Sequence, residues 1–300
     1  MSLSFSLTLL LLLSFVLSSS SSMLLQGKRV LVTGAGRGIG RAIALICQEE
    51  GAKVAITSRT ESELKETMAL ALNECSSKSN PQTMTMHVAD VTNPQQVESM
   101  IQRIVEDWGG LDVLINNAGG AQRTKAPVDD KALDSESLTK LLQLNVVGAH
   151  VVTSAVLQHA MPSTTSSNEE SSSSSRTIIN ISSRAGKVGL ENYSFYVASK
   201  FALEGMTSSW AKELKGRNPP IRVHSISPGM VNTQSFPKPP GKKGVRTAES
   251  IRDCLLLALT AEMEYTGHYI HADELDMIRS KGLADTRAWK PIDEPKFDTQ

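Results

Sequence analysis

The 300 residues carry 31 Lys and Arg against 31 Asp and Glu, for a formal net charge of zero. That balance leaves no electrostatic case for a nucleic-acid partner, which normally shows as an excess of basic residues. Three scattered cysteines and six histidines give neither a disulfide framework nor a zinc-ligand spacing, so no metal is expected. In chain order, the first feature is an apolar run, Leu7–Leu17 (LTLLLLLSFVL), followed by serines and with no charge before Lys28. It is shorter than the ~20 residues that span a bilayer. It suits the core of a signal peptide, but the basic residues that usually precede one are missing. Three readings stand: a signal leading to the secretory pathway, a membrane-associating anchor, or a start misassigned upstream of Met23, which would leave the protein cytoplasmic. Residues 1–27 are accordingly set outside the fold.

From Lys28 onward, short β-rich runs alternate with helical stretches. Lys28–Thr33 is a strand and Gly40–Glu50 a helix, with Ile43, Ala44, Ile46 and Cys47 at helical spacing. Lys53–Ser58, Thr83–Ala89 and Leu111–Asn116 are further strands, separated by helices over Glu61–Glu74 and Pro94–Trp108. A long helix is predicted over Ser135–Met161. The serine-rich stretch Ser163–Ser175 holds nothing that packs and is read as a disordered surface insertion. Arg176–Ser182 and Ile221–Ser227 are strands around a helix at Tyr193–Lys215. A helix over Thr247–Met263 and a short strand over Gly267–His271 close the pattern. Residues 28–279 form one domain, and the polar tail 280–300 lies on its surface. This alternation predicts an α/β doubly wound parallel sheet, covered by helices on both faces. Nearly continuous apolar strands such as VLVT fit that burial.

Chemistry enters at Thr33-Gly34-Ala35-Gly36-Arg37-Gly38-Ile39-Gly40, between the first strand and the first helix. Glycines there permit a tight turn and close approach of a pyrophosphate to the helix N-terminus. An acid at the end of the second strand would bind the free ribose hydroxyls of NAD(H). This chain has Ser58 and Arg59 there instead. Arg59, with Arg37, offers bidentate donors to a 2′-phosphate. NADP(H) is therefore the preferred cofactor, with NAD(H) as the alternative.

Several ordered motifs resemble those of the classical short-chain dehydrogenase/reductase family. They are the glycine turn spaced as TGxxxGxG, Asn116-Asn117-Ala118-Gly119, Asn145 within LLQLNVVG, Ser182-Ser183, Tyr196-Val197-Ala198-Ser199-Lys200, and Pro228-Gly229 followed by Val231 and Thr233. The resemblance covers roughly residues 28–270 and is nearest to the 3-oxoacyl-carrier-protein-reductase-like branch. It implies a single Rossmann-type domain with a seven-stranded parallel sheet. It also implies NAD(P)-dependent interconversion of a carbonyl and an alcohol, a small-molecule substrate, and a homodimer or homotetramer. Its catalytic set falls on Asn145, Ser183, Tyr196 and Lys200, with Ser182 the competing serine and Ser183 favoured by its spacing from Tyr196. Tyr196 is the implied general acid/base. Lys200, one helical turn away, would stabilise the phenolate and hold the nicotinamide ribose. Ser183 would polarise the substrate oxygen, and Asn145 would place a water relaying protons to Lys200. The implied cofactor contacts are Gly34, Gly36, Arg37, Gly38, Ile39, Gly40, Ser58, Arg59, Asp90, Val91, Asn117, Ala118, Gly119, Tyr196, Lys200, Pro228, Gly229, Val231 and Thr233.

Substrate choice is expected from Gly120–Pro127, Lys187–Tyr193 and the lid-like segment Gln234–Arg246, whose lysines and Arg246 suit either an acidic substrate or plain solvation. The stretch after the last strand, His271-Ala272-Asp273-Glu274-Leu275, departs from the glycine-rich segment common in relatives, which puts the tetramer in doubt. The alternative function is a non-catalytic, NADP-binding redox sensor or scaffold on the same fold.

Overall fold

The computed structural model describes residues 23–75, 84–124, 135–163, 176–234, 237–238, 242–261, 266–281 and 289–291. The Leu7–Leu17 run, nearly all of the serine insertion and most of the 280–300 tail lie outside the described residues. The strands are β1 (Arg29–Thr33), β2 (Lys53–Ser58), β3 (Met84–Val88), β4 (Val113–Asn116), β5 (Arg176–Ile181), β6 (Ile221–Ser227), β7 (His268–His271) and β8 (Trp289–Pro291). They form a sheet in the order β3-β2-β1-β4-β5-β6-β7-β8. The first seven run parallel, and β8 is antiparallel to β7. The seven predicted parallel strands are therefore present, and an eighth is added from the segment assigned to a polar tail. Its pairing meets the outer backbone groups of β7, which an uncovered edge would leave without partners.

The helices are α1 (Gly38–Glu49), α2 (Glu61–Cys75), α3 (Pro94–Trp108), α4 (Ser135–Ala160), α5 (Ser194–Lys215), α6 (Arg252–Thr260) and α7 (Ala272–Lys281). Strand alternation sorts the apolar residues into two cores. Val30, Val32, Val54, Ile56, Val113 and Ile115 face α1 and α6, where Ile43, Cys47, Leu255 and Leu257 pack. Leu31, Ala55, Leu114, Ile178 and Val223 face α3 and α4, meeting Val97, Ile101, Val152 and Val156.

The fold begins earlier than the sequence pattern implies. Leu25 is 3% exposed and belongs to the first core, and its N–H donates to the Glu50 carbonyl at 2.9 Å. Residues 24–27 thus pack beneath the end of α1, which corrects their exclusion with the leader. The short stretch Met23-Leu24-Leu25 beside a serine run carries no periodicity by which to recognise this role.

The long helix α4 is interrupted by π turns at Gln143–Val147 and Val156–Ala160. Such turns widen the backbone spacing locally and re-aim nearby side chains. The first of them contains Asn145. The chain order reverses between β1 and β4, so their carboxyl ends open a crevice at the switch point, where ligands of such sheets bind.

Candidate active site

The glycine turn lies at that crevice. α1 starts with no side chain capping it and no acid in its first turn, which leaves its N-terminal field directed at the crevice. Two glycines are required by close approach. A Cβ on Gly34, whose φ is +64°, would lie 2.8 Å from the Ala118 Cα. One on Gly40 would lie 2.8 Å from the Gly34 carbonyl carbon and still closer to its oxygen. The adjoining Asn117-Ala118-Gly119 segment is tied to the turn through Thr33. The Thr33 hydroxyl accepts from the N–H groups of Asn117 and Ala118, both at 3.0 Å. The Asn117 amide donates to the carbonyls of Thr33 at 3.0 Å and Gly34 at 3.1 Å. Asn117, expected to meet a ribose, uses its side chain to brace the turn.

Below the crevice runs a buried polar ladder that sequence reading did not find. The Asn116 amide donates to the Thr153 hydroxyl and to Asn180 Oδ1, both at 2.9 Å, and the Asn180 amide donates to the Thr207 hydroxyl at 2.8 Å. It fixes β4, β5, α4 and α5 relative to one another, which places the two halves of the site.

The predicted catalytic residues converge where β5 meets α5. Ser183 caps a short 3-10 turn at Arg184–Gly186, its hydroxyl accepting from the Ala185 N–H at 3.1 Å. Burial raises the pKa of the Tyr196 phenol, and the nearby Ser183 side chain, the smaller effect, lowers it. Ser182 is 4% exposed, turned away into the protein. Lys200, one turn beyond Tyr196, donates to the Ile181 carbonyl at 2.8 Å, and its ammonium lies 5.8 Å from the centre of the Tyr196 ring. Burial lowers the Lys200 pKa to about 8, partly opposed by Glu204. Gly186 makes this packing possible, because a Cβ there would sit 2.7 Å from the Glu204 Cγ and 3.0 Å from the Lys200 carbonyl.

Asn145 is 1% exposed. Its Nδ2 donates to the Gly120 carbonyl and the Ser199 hydroxyl, both at 2.9 Å, and its Oδ1 accepts from the Gly120 N–H at 2.8 Å. The side chain thus holds the Gly119-Gly120 turn against α5, with one acceptor position of Oδ1 beyond these bonds.

The remaining predicted cofactor contacts sit around the crevice. Thr233 lies over Gly38, its methyl 3.3 Å from where a Cβ would stand. Val231 is buried and bridges Arg246, and Gly229 takes a φ of +77° that brings the Pro228-Gly229 turn against Asp273. Asp90 accepts from the Thr92 N–H at 2.9 Å and hydroxyl at 2.8 Å, and Val91 packs on Gly148. Each of the three arginines assigned to an anion has an acidic neighbour. Arg37 pairs with Glu63 at 2.8 Å, Arg59 lies 3.8 Å from Asp90, and Arg246 pairs with Asp273 at 2.8 Å and Asp276 at 2.5 Å. Of the lid, residues 235–236 and 239–241 lie outside the described residues, as do 125–127 of the first substrate loop.

The short chain dehydrogenase family pattern matches residues 28–240. This chain belongs to that family. Within it, the chain lies on the 3-oxoacyl-carrier-protein-reductase-like branch. It is 34% identical over 220 residues to the 3-oxoacyl-[acyl-carrier-protein] reductase FabG of Thermotoga maritima, covering 73% of this chain and 80% of that protein. It is 34% identical over 212 residues to the short-chain dehydrogenase/reductase FrzI of a Cladobotryum species, covering 70% and 72%. A solved short chain dehydrogenase from Shigella flexneri, complexed with NADP, superposes with a TM-score of 0.70 at 27% identity, covering 84% of this chain and all of that one. A similar structure from Pseudomonas syringae gives 0.72 at 28% identity, covering 85% and 98%. Oxidoreductase chemistry on a Rossmann-type fold follows for this family member.

Proposed function

We propose that this short-chain dehydrogenase/reductase is an NADP(H)-dependent enzyme that interconverts a small-molecule carbonyl and its alcohol, with Tyr196 as general acid/base. The carrying observation is the Ser183–Tyr196–Lys200 cluster at the mouth of the glycine-lined crevice. The crevice suits a dinucleotide. Its glycines let the turn pack closely against its neighbours, and the uncapped N-terminus of α1 suits a pyrophosphate. Gly34, Gly36, Gly38, Ile39 and Gly40 would hold that group, with Ala118, Gly119, Val231 and Thr233 along the rest of the dinucleotide. Arg37 and Arg59 support NADP(H) over NAD(H), and a similar solved structure carries NADP. When bound, the nicotinamide ring gives or takes the hydride.

The protein's own part is proton handling and positioning. Burial keeps the Tyr196 phenol protonated at neutral pH, so it is ready to donate to a carbonyl oxygen. Ser183 would hold that oxygen beside the phenol by donating its hydroxyl hydrogen. The Lys200 ammonium, anchored on Ile181, faces the ring and favours the phenolate left after donation. In oxidation the same field must bring the phenol down to act as base. Asn145 braces Gly120 against Ser199 and would also place the water that relays protons to Lys200. A homodimer or homotetramer is part of this proposal, and the exposure of Val147 at 37% and Phe201 at 46% on α4 and α5 supports it.

Tyr196→Phe tests the assignment. Turnover of a carbonyl panel with NADPH should fall below about 1% of wild type, because proton transfer is worth about 10²–10⁴-fold, while NADPH binding measured by fluorescence persists. Near-normal turnover in that variant removes Tyr196 from the mechanism. A wild-type protein that binds NADPH and reduces nothing in the panel favours the redox-sensing scaffold.

A further inference from the structure

The end of β2 carries no acid, yet the fold brings one there. Glu63 stands in the first turn of α2, and its side chain lies across the glycine turn. A Cβ placed on Gly36 would meet Glu63 Cβ at 2.8 Å, Glu63 Oε2 at 3.0 Å and the Ser58 hydroxyl at 3.0 Å. Its other carboxylate oxygen pairs with Arg37 at 2.8 Å. Arg41 fixes the backbone below it, donating to the carbonyls of Gly36 and Glu63. Glu63 therefore occupies the space between Ser58, Gly36 and Arg37, the part of the crevice where the second ribose carbon of an adenosine is read.

A carboxylate in that place has two consequences of opposite sign. It can accept from a free ribose 2′-hydroxyl, as an acid at the end of β2 would. Against a 2′-phosphate it is a like charge, and it already occupies the guanidinium that the phosphate needs. The pair can open. Glu63 is 25% exposed and Arg37 47%, and ion pairs this close to water are worth only about 0–1 kcal/mol.

We propose that Glu63 sets the cofactor selectivity of this site, holding Arg37 as an internal stand-in for the adenosine 2′-phosphate and disfavouring NADP(H) relative to NAD(H). The proposal rests on the reading of the crevice as a dinucleotide site. It deepens the assignment of NADP(H) by naming the residue that opposes it. Binding of NADP(H) then exchanges one anion for another on Arg37: the carboxylate swings to solvent and the phosphate takes its place, with Arg59 as a second donor. NADH leaves the pair closed.

The test compares the wild-type protein with Glu63→Gln and Glu66→Gln. Glu66 lies one helical turn from Glu63 and pairs with Arg41 at 2.9 Å, so its variant removes the same charge without touching Arg37. Affinities for NADPH and NADH are measured by fluorescence titration. Those for adenosine 2′,5′-bisphosphate and 5′-AMP are measured by calorimetry, which needs no turnover. Removing one charge opposite a doubly charged phosphate under near-aqueous screening should shift the NADPH-to-NADH affinity ratio about tenfold toward NADPH (~1.4 kcal/mol) in Glu63→Gln. The bisphosphate should gain on 5′-AMP by a similar factor, and Glu66→Gln should move either ratio less than about threefold. An unmoved ratio in Glu63→Gln overturns the proposal, as does an equal shift in Glu66→Gln. The wild-type ratio judges NADP(H) preference separately. Wild-type preference for NADH, with the Glu63→Gln shift intact, refutes that preference and keeps the role of Glu63. Binding of neither dinucleotide overturns both.

Discussion

Replacing Lys200 by methionine should stop turnover and stabilise the fold at once. The ammonium is buried against the Ile181 carbonyl, and burial holds its pKa at about 8 against an ordinary 10.5, with Glu204 acting in the opposite direction. That gap is a factor of about 300 in proton affinity, or about 3 kcal/mol. Between about pH 8 and 10.5 the unfolded chain keeps this proton and the folded chain releases it, so stability rises with pH through that window. Below about pH 8 the full cost of the buried charge is present. At neutral pH methionine therefore removes a cost of about 3 kcal/mol and forfeits a hydrogen bond worth about 1 kcal/mol. The net gain of about 2 kcal/mol corresponds to roughly 4–8 °C in Tm for a domain of this size. Turnover behaves in the opposite way, since the wild-type rate should fall as the ammonium is lost above about pH 8. Thermal melts of both proteins across pH 7 to 10.5, with a wild-type pH–rate profile, give the two readouts. The Tm advantage of the variant should vanish toward the alkaline end. A Lys200→Met protein less stable than wild type at pH 7, or a wild-type rate flat beyond pH 9, would refute the reasoning.

Gly40→Ala forces a Cβ onto the Gly34 carbonyl, a backbone contact that cannot move aside. It should cost about 1–3 kcal/mol in urea unfolding and abolish measurable NADPH binding, because the phosphate turn itself must shift. Wild-type-like affinity would show that the turn is softer than its packing implies. His224 is completely buried between Arg222 and His268, and its pKa is lowered to about 3, chiefly by burial. The unfolded chain protonates this group near pH 6.5 and the folded chain does not until about 3, so stability should fall by up to about 5 kcal/mol as pH drops through that interval. His224→Gln should flatten this acid limb in urea titrations at several pH values, and parallel limbs for the two proteins would exclude His224 as its source.

The parallel sheet was legible because strands such as β1 and β4 are apolar nearly throughout and helices such as α1 and α3 show a 3.6-residue repeat. The meeting of Tyr196 and Lys200 was legible because residues four apart share one face of a helix. Other features left no local signal. Glu63 reads in sequence as an ordinary acid at a helix N-terminus, where it complements the dipole. Only the packing of α2 over the glycine turn turns it toward Arg37. Glu204 reads as a solvated helix position, yet it is 3% exposed, bonded to the Ser225 hydroxyl at 3.0 Å and paired with Lys187 at 3.4 Å. The β8 strand is three residues long and ends in proline, a composition that argues against a strand except at a sheet edge.

The cations at the crevice fall into two kinds, and the difference assigns them different work. Arg37, Arg59 and Arg246 stand near the surface with carboxylates already beside them. Such pairs contribute little stability, so an incoming anion can take the place of the carboxylate at small cost. Their effect on ligand choice is the difference between two anions, which makes the acidic partner as decisive as the arginine. Lys200 has no such freedom. It is buried, fixed on a backbone carbonyl and within reach of the Tyr196 ring, so its charge cannot be screened or exchanged. The exchangeable pairs suit recognition and the fixed charge suits proton chemistry, which is why substitutions at Glu63 should change which cofactor binds, while substitutions at Lys200 should change whether a bound one is used.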